Sequence, residues 1–508
     1  MKILLLEHPR VIAPERCNDI ANTPLSSCLL SGYAGGVLQN EGHEVEIVEG
    51  FLDRLSYDQI EAAVAGFKPD ILGVHMVYHW QTDLALFGFL EKMKGTGLAP
   101  YITAFGFYPT IAFADILQEC PAVHSVIVGE PEMTFAELAK AVSGRVGPEG
   151  VLELDGGMPG LAVRDSLGGV ACKRRELVSD LDSLPFPIRT EALYRLPEVN
   201  LQGSRGCYGG CTFCYINPFY GLGSRWRGRS PENIAAEIDG IMSEQGTRYF
   251  YFTDPNFFGP GLKGQERARR LAALLKPRNI RFGIEARVND IHDDTIGALV
   301  EAGLRHILIG LESGRDESLK RMNKMTTVAQ NERAIGILRK HGIEPNIGFI
   351  MFEPDSTLED VRTNFEFLKR NELLNNLAIT ANVLYHHQII LKGTRAFQQL
   401  QQEGRLVISP SSSYEGMTYF TDREKVGVLA GMMREIANFV FDRMADIWGA
   451  KVPEPPNAKE KYASMNRILV ESFENMLNAL EAGRRFAVDE QQAFVEETKN
   501  RMDKLLQG

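Results

Sequence analysis

The sequence has no run of about 18 apolar residues, the length that a helix needs to cross a bilayer. It also lacks an excess of positive charge, since 55 Lys and Arg stand against 66 Asp and Glu and give a net charge of −11. Concentrated basic charge is what binds phosphate backbones, so we predict no nucleic-acid partner. The apolar run near the start turns polar at Glu7 and is too short for the core of a signal peptide. These absences favour a cytoplasmic protein that acts on a small molecule and has no membrane partner.

Cysteine is also scarce and unevenly placed. The chain has seven cysteines, an odd number, and three of them lie within eight residues. Tight clustering in a cytosolic protein favours a metal site over disulfides. A basic run at residues 225–229 lies beside this cluster and indicates a small anionic ligand. The remaining four have no metal-like spacing, and we predict that they are ordinary buried or surface cysteines: Cys17, Cys28, Cys120 and Cys172.

The pattern along the chain predicts an α/β protein with four regions. Strands and helices alternate over residues 1–145, which predicts a doubly wound parallel sheet. Residues 146–198 are rich in Gly, Pro and charge and are predicted to connect this sheet to a second αβ series at 199–395. Six strands of that series would form a partial (β/α)6 barrel, with reactive groups at the carboxyl ends of the strands. Residues 396–508 are predicted to be helical, including 422–448, where apolar residues recur at helical spacing.

Short apolar runs bounded by turn residues mark the strands of both regions. In the first sheet they are Lys2–Leu6, Glu44–Val48, Ile71–Val77, Tyr101–Ala104 and Val123–Val128. In the second they are Asn200–Gly203, Tyr249–Phe252, Arg281–Glu285, His306–Ile309, Asn346–Met351 and Ala378–Leu384.

The clustered cysteines are Cys207, Cys211 and Cys214, with the spacing C-x3-C-x2-C. Thiolates are soft donors that suit iron–sulfur clusters, and three of them can bind three irons of a [4Fe–4S] cubane and leave the fourth iron open. Glycines in the motif allow the tight loop that wraps a cluster. The alternatives are a zinc site with a fourth ligand elsewhere, or three unrelated cysteines.

The motif follows the first predicted strand of the second region, and Phe213 precedes its last cysteine. This arrangement resembles the signature of the radical S-adenosylmethionine (SAM) superfamily, C-x3-C-x-aromatic-C. The resemblance implies a [4Fe–4S] cluster bound by the three cysteines and SAM bound at the open iron. It also implies an electron donor such as flavodoxin or ferredoxin, which would start reductive cleavage of SAM to a 5′-deoxyadenosyl radical.

Segments at the ends of the later strands resemble the SAM-contact positions of the superfamily. Strand-end acids often only cap the next helix, so each match alone is weak, but all of them occur in the expected order. The resemblance implies that these residues bind SAM together with Phe213: Asp254, Glu285, Arg287, Glu312, Ser313 and Ile350.

A doubly wound domain ahead of such a barrel resembles the cobalamin-binding subgroup of the superfamily, and Gly129–Glu132 matches a turn of that subgroup. Where the subgroup usually has the segment GGPHPT, this chain has residues 105–110: Phe105 replaces one of the two small residues, and Phe107 and Tyr108 add bulk. We expect Phe105 to obstruct the nucleotide tail of cobalamin, although cobalamin stays a candidate cofactor. The histidines at the end of the third predicted strand, His75 and His79, could contact cobalt or substrate, or serve only as hydrogen-bonding groups.

Three residues are candidates for catalysis after hydrogen abstraction. Tyr220 can donate or accept a proton, and its offset from the cysteines resembles that of a proton-handling tyrosine in radical SAM diol dehydratases of aminoglycoside biosynthesis. Tyr215 is closer to the motif and is favoured as a packing residue. His386 and His387 end the predicted sixth strand at the catalytic rim, unless they form a solvated loop pair.

Three functions remain open. The first is a cobalamin-free radical SAM enzyme that removes hydrogen from a hydroxylated metabolite and then eliminates water or rearranges it, in the manner of a lyase. The second is a cobalamin-dependent radical SAM methyltransferase. The third is a non-enzymatic iron–sulfur sensor, which the SAM-contact segments argue against because a sensor needs no SAM pocket.

Overall fold

The computed structural model describes residues 1–9, 29–76, 84–143, 146–147, 150–151, 157–221, 226–408, 415–444 and 454–507. Two of the predicted ordinary cysteines, Cys17 and Cys28, lie outside these residues, and so does His79. Among the described helices, none combines the length and the apolar character needed to span a membrane.

The first region forms a parallel sheet with helices between its strands. Its strands are β1 (Lys2–Glu7), β2 (Glu44–Glu49), β3 (Ile71–His75), β4 (Tyr101–Phe105) and β5 (Ser125–Ile127). Its helices are α1 (Leu30–Asn40), α2 (Tyr57–Phe67), α3 (Leu84–Gly95), α4 (Phe107–Glu119) and α5 (Glu132–Val142). The side chains of Ile3 to Leu6 are completely buried, as expected for a central parallel strand that is covered on both faces. The five predicted strands are therefore confirmed.

The glycine- and proline-rich segment extends this sheet. After the short pair β6 (Val146–Gly147) and β7 (Gly150–Val151), strand β8 (Leu161–Arg164) runs antiparallel to β5, and β9 (Val170–Cys172) runs antiparallel to β8. The strand order becomes β2-β1-β3-β4-β5-β8-β9. A 3₁₀ turn (Leu181–Ser183) and α6 (Glu191–Tyr194) then lead to the second region.

The second region is a parallel sheet in sequential order. Its main strands are β10 (Val199–Leu201), β13 (Tyr249–Phe252), β14 (Arg281–Arg287), β15 (Leu304–Glu312) and β16 (Asn346–Phe349). A small hairpin of β11 (Ser204–Arg205) and β12 (Arg227–Gly228) brackets α7 (Ile216–Tyr220). The covering helices are α8 (Pro231–Gln245), α9 (Gly261–Leu275), α10 (Asp293–Ala302), α11 (Asp316–Arg321), α12 (Val328–Lys340) and α13 (Leu358–Arg370). Two 3₁₀ turns, Lys276–Arg278 and Val288–Asp290, complete the series.

The predicted sixth strand, 378–384, is wrong: these residues belong to helix α14 (Leu377–Tyr385). The β-branched residues of the segment suggested a strand, but Leu377, Ala381 and Leu384 are buried at helical spacing. Asn376 caps the helix by accepting hydrogen bonds from two backbone amides with its side chain. In the described residues, the place of a sixth strand beside β16 is taken by a single parallel bridge between Phe352 and His387. The described sheet therefore has five strands rather than six.

The last region is mainly helical, as predicted. A small sheet of β17 (Ile390–Leu391), β18 (Val407–Ile408) and β19 (Glu415–Met417) surrounds α15 (Arg395–Gln402). A π-helical turn (Arg423–Gly427) then continues into α16 (Val428–Phe441), and α17 (Ala458–Glu481) and α18 (Val488–Gln507) follow. Residues of these helices share one buried hydrophobic core with the second sheet. The α/β class with a helical C-terminal region is confirmed.

Candidate functional site

The cysteine loop lies at the carboxyl end of β10, between the two strands of the small hairpin. The Cys211 side chain is buried, whereas Cys207 and Cys214 are half-buried. Two main-chain hydrogen bonds hold the loop in place, from Thr212 N to Met322 O and from Ala396 N to Thr212 O, each with a length of 2.9 Å. The loop is therefore fixed by residues from the fourth βα unit and from the helical region.

The three thiols are close enough to affect one another electrostatically. Burial raises the pKa of Cys214, and the charges of Cys211 and Cys207 raise it further. Burial also raises the pKa of Cys207, against the opposing effects of the Arg287 guanidinium and the Gly209 amide. Arg287 Nη1 donates to the Sγ of Cys211 at 3.5 Å, and Gly209 N donates to the Sγ of Cys207 at 3.3 Å. This donor set stabilises thiolates, which are the form that binds iron.

The surroundings of the cysteine loop can offset the charge of bound thiolates. Within the described residues, no three His, Cys, Asp or Glu side chains are arranged to hold one metal ion. Thiolates that bind different irons of a cubane stand farther apart than ligands that share one ion. Two buried cations, Arg287 and Lys324, lie close enough to lower the pKa of Cys207 and can offset the negative charge of bound thiolates. Cys207, Cys211 and Cys214 remain the predicted ligands.

The structure brings together the two apolar residues predicted to contact SAM. Ile350 packs with Leu319 and Met322 in a small buried cluster, and the half-buried Phe213 packs against the same cluster. This apolar group of side chains lies beside the cysteine loop, because the carbonyl oxygen of Met322 accepts the hydrogen bond from Thr212 N. An apolar surface at this position could hold the flat face of an adenine ring.

Asp254 is fully buried and supports the start of the cysteine loop. Its Oδ1 accepts a hydrogen bond from Gly203 N at 2.7 Å, and its Oδ2 accepts one from Ser204 Oγ at 3.0 Å. Burial raises the pKa of Asp254 to about 6, although Arg267 opposes this shift. Both carboxylate oxygens are thus bonded within the chain, which makes Asp254 a positioning residue for the loop.

Glu285 lies on β14, two residues before Arg287, and its side chain is buried. Its Oε1 accepts a hydrogen bond from the Tyr251 hydroxyl at 3.1 Å, while its Oε2 has no hydrogen-bond partner within the described part of the chain. Burial raises the pKa of Glu285 to about 8. The carboxyl group is therefore protonated at neutral pH and can donate a hydrogen bond.

We expect the Glu285→Gln variant to gain stability over wild type as pH rises. The difference in free energy of unfolding, variant minus wild type, should be about 1–3 kcal/mol larger at pH 8.5 than at pH 5.5. The folded protein holds this proton between the unfolded and folded pKa values, so wild-type stability falls as pH rises towards about 8. Gln keeps the acceptor for Tyr251 but has no charge to desolvate. Urea-unfolding midpoints at the two pH values measure the difference. Glu460→Gln, at an exposed position on α17, is the control, and an equal effect of Glu285→Gln at both pH values would contradict the assignment.

Glu312 ends β15 and forms an ion pair that the sequence did not reveal. Lys324 Nζ donates to Glu312 Oε1 at 2.6 Å, and both side chains are almost completely buried. The pair lies over Gly310, where an added Cβ would be 2.4 Å from Glu312 Oε1 and 2.5 Å from Lys324 Nζ. Glu312 itself has a φ of 63°, in the left-handed region that non-glycine residues rarely adopt. The backbone at the end of β15 is therefore shaped to accommodate this ion pair beside the thiols. Paired charges at this position are suited to binding the charged methionine end of SAM.

Ser313, the next residue along the chain, is hydrogen-bonded to a covering helix. Its hydroxyl donates to Asn364 Oδ1 at 2.7 Å and is completely buried. Asn364 belongs to α13, so this bond ties the end of β15 to a covering helix.

The predicted catalytic residues lie in two different surroundings. Tyr220 is almost completely buried in the core of the first sheet, edge-to-face with Phe219 at 4.7 Å, and the Arg227 guanidinium lies 5.4 Å from its ring. His387 lines a cavity beside α16. Burial lowers the pKa of His386 to about 4 and that of His387 to about 3, so both imidazoles are neutral at pH 7.

The carboxyl edge of the first sheet packs directly on the helix that follows the cysteines. Phe107, at the start of α4, lies 4.2 Å from the ring of Phe219 and 5.1 Å from that of Tyr215. Phe105, which we expect to obstruct the nucleotide tail of cobalamin, is packed inside the core, 5.0 Å from Phe135. Phe107 is therefore the ring that packs on the segment directly after the cysteines.

His75 lies next to this edge and forms hydrogen bonds to protein. Its Nδ1 is 2.8 and 2.7 Å from the two carboxylate oxygens of Glu7. An added Cβ at Gly106 would be 2.7 Å from the His75 ring and 2.6 Å from Met76 O. The turn after β4 is thus closed tightly by the chain itself.

Arg205, two residues before the first cysteine, joins the two sheets through a buried ion-pair network. Its Nη1 donates to Glu130 Oε1 at 3.0 Å and its Nη2 donates to Glu132 Oε1 at 2.6 Å. Arg227 also bonds Glu130, at 2.9 Å, and Arg229 pairs with the buried Glu237. The prediction that the basic run at 225–229 binds a small anion is therefore wrong for Arg227 and Arg229, which neutralise carboxylates of the protein.

The fold and the site of the second region agree with a family match over the same residues. A parallel sheet carries a three-cysteine loop at the carboxyl end of its first strand, with buried charged and apolar groups around it. Residues 201–368 match the model of the Radical SAM superfamily, so the chain carries a radical SAM domain. Domains of this superfamily use a [4Fe–4S] cluster and SAM.

Individual relatives resemble larger parts of the chain. It is 27% identical over 384 residues to an uncharacterized methyltransferase of Pyrococcus horikoshii, covering 73% of this chain and 79% of that protein. It is 28% identical over 402 residues to 4′-phospho-dehydrooxetanocin synthase of Priestia megaterium, covering 73% of this chain but only 52% of the synthase. The structure of the cobalamin-dependent S-adenosylmethionine radical enzyme OxsB, with aqua-cobalamin and SAM bound, superimposes with a TM-score of 0.70 at 20% identity. That match covers 99% of this chain and 84% of the OxsB chain, which shows that the folds are alike.

Proposed function

We propose that the protein is a radical SAM enzyme that abstracts hydrogen from a hydroxylated small metabolite without using cobalamin. The resulting substrate radical then loses water or rearranges. The observation that supports this most is the aromatic packing of Phe107 on Phe219 and Tyr215 between the first sheet and the cysteine loop. Phe219 and Tyr215 are buried and Phe107 is half-buried against them, so a bound macrocycle at this edge would have to displace the Phe107 ring.

Within this proposal each group of the site has a defined role. The cluster and SAM together supply a 5′-deoxyadenosyl radical. Cys207, Cys211 and Cys214 hold the cluster, while Arg287 and Lys324 balance the charge of the thiolates. Phe213 and Ile350 contact adenine, and flavodoxin or ferredoxin supplies the electron.

Loss of water from a substrate radical requires a group that handles a proton, because hydroxide leaves poorly at neutral pH. We assign this role first to Tyr220, whose phenol lies near the charges of Arg227 and Arg205. His386 and His387 are the next candidates, since both are neutral at pH 7 and in that form can accept the proton that the substrate radical's hydroxyl loses.

A second candidate function is cobalamin-dependent methyl transfer. It is supported by the likeness in fold to a cobalamin-dependent enzyme over 99% of this chain and by a methyltransferase among the relatives. The two functions differ in the cofactor retained and in the product formed from SAM.

We expect wild-type protein purified with hydroxocobalamin to retain no stoichiometric corrinoid after gel filtration. The absorption spectrum of the filtered protein measures this directly. Reconstituted anaerobically and reduced with dithionite, the same protein should convert SAM to 5′-deoxyadenosine and form no S-adenosylhomocysteine. Phe107→Ala/Phe219→Ala, which opens the packed edge, is the matched variant and should retain more corrinoid than wild type. Stoichiometric corrinoid in wild type, together with S-adenosylhomocysteine, would establish the methyltransferase instead.

A further inference from the structure

A cavity of about 170 Å³ lies at the carboxyl end of β16, between the loop that follows this strand and the start of α16. Phe352 and Phe420 form one wall, with their rings 6.1 Å apart and inclined at 66°. Whole small-molecule pockets usually start at roughly 300 Å³, so this cavity has room for one end of a ligand rather than for a complete one.

Small residues keep the opposite wall open. Gly427, Ala430, Gly431 and Arg434 all line the cavity and recur at the spacing of one helix face. An added Cβ at Gly431 would have no heavy atom within 4 Å. The π-helical turn at Arg423–Gly427 leads directly into this face, and such turns are frequent at functional sites. The cavity therefore stays open because small residues occupy this face of the helix.

Three polar side chains line the cavity and have no hydrogen bond or ion pair to any described residue. Gln388 is 8% exposed, yet within the described residues its side-chain amide has no hydrogen bond. His387 and the exposed Arg434 likewise have no hydrogen bond or ion pair in the part of the chain that the structure covers. Because none of these three side chains is bonded to another described residue, each can bond a ligand in the cavity. A cation, an amide and an imidazole around one space form a donor set for an anion.

The cavity is adjacent to the predicted SAM site. Phe352 is two residues beyond Ile350, so their Cα atoms are at most about 7.6 Å apart. The peptide amides of Met351 and Phe352 both donate to His386 O, at 3.0 and 3.1 Å, which fixes this edge of the cavity to the segment that carries His387. A molecule anchored here could therefore extend towards the reactive end of the strands.

We propose that this cavity binds an anionic group of the substrate, such as a phosphate, through Arg434, Gln388 and His387, with Phe352 and Phe420 contacting the carbon skeleton next to it. The proposal rests on the proposed function, because it names the class of substrate: a hydroxylated metabolite that carries a negative charge.

The test measures binding of inorganic phosphate and of phenyl phosphate by calorimetry to the reconstituted, unreduced protein with SAM. We expect wild type to bind inorganic phosphate with a dissociation constant on the order of 1 mM or below, and phenyl phosphate several-fold more tightly. Arg434→Ala should weaken both by about tenfold or more, since it removes a charge-assisted hydrogen bond. Gly431→Leu, which fills the cavity without changing the charge, should also abolish binding.

Two substitutions on α12, Arg333→Ala and Gly336→Leu, are the matched controls, because both sites are exposed and neither lines the cavity. They should leave both dissociation constants unchanged. Absence of phosphate binding to wild type, or binding that survives both Arg434→Ala and Gly431→Leu, overturns the proposal. Phenyl phosphate that binds no better than inorganic phosphate would assign the cavity to free phosphate and not to substrate. None of these readouts depends on SAM cleavage or corrinoid, so failure of the proposed function is recognised separately.

Discussion

Replacing Cys207, Cys211 and Cys214 together by alanine is expected to abolish both iron binding and the formation of 5′-deoxyadenosine from SAM. Each single replacement should have nearly the same effect on cleavage, because a cubane that loses one thiolate no longer keeps a single open iron for SAM. Iron and sulfide counts after anaerobic reconstitution, with a 5′-deoxyadenosine assay under dithionite, measure both effects.

Cys172→Ala is the matched control for this experiment. Cys172 lies in β9, in the first sheet and outside the cysteine loop, so the substitution should leave iron content and SAM cleavage unchanged. Full iron content in the triple variant would show that these cysteines do not hold the cluster.

Arg205→Met is expected to lower the free energy of unfolding by about 3–5 kcal/mol. Arg205 is 1% exposed and pairs with Glu130 and Glu132, and its guanidinium lies 4.8 Å from the ring of Tyr33. Without it, Glu132 is a buried carboxylate with no ion pair to any described residue, whereas Glu130 keeps Arg227. The midpoint and slope of urea unfolding, followed by circular dichroism, give the loss.

Two further variants separate the charge effect from general damage. Arg205→Met/Glu132→Met removes both members of one pair and should recover more than half of the loss, because no unpaired charge stays buried. Arg195→Ala breaks the exposed pair with Asp53 and should cost about 1 kcal/mol or less. Equal losses in Arg205→Met and in the double variant would mean that packing, and not charge, is what Arg205 contributes.

Most of the fold was predictable because its strands carry strong local patterns. The strands of the first sheet are short apolar runs flanked by turns, and five strands of the second sheet were found in the same way. The segment 378–384 failed because β-branched residues occur in both strands and helices, and its Asn376 cap is a weak feature in the sequence. Pairing of β8 with β5 could not be predicted, since an antiparallel addition to a sheet edge depends on partners 34 to 38 residues away along the chain.

The site was predictable where chemistry imposes a spacing. The three cysteines lie on one short loop, so their association is local, and the aromatic residue Phe213 lies beside them. Lys324 was missed because nothing in its local sequence differs from a surface lysine, and only burial beside Glu312 reveals its role. Asp254 and Ser313 fit the expected order of segments, but their side chains are bonded within the chain.

The sequence by itself determined the α/β class, the cysteine loop and the order of the strand-end segments. These features depend on periodicity and on spacing along the chain, and both are local properties. The tertiary structure decided which charges are paired, which aromatic ring packs on the segment directly after the cysteines and where a cavity stays open. Each of these depends on residues far apart in sequence, such as Arg205 and Glu130 or His387 and Arg434, whose meeting is set by packing of whole elements and not by any local pattern.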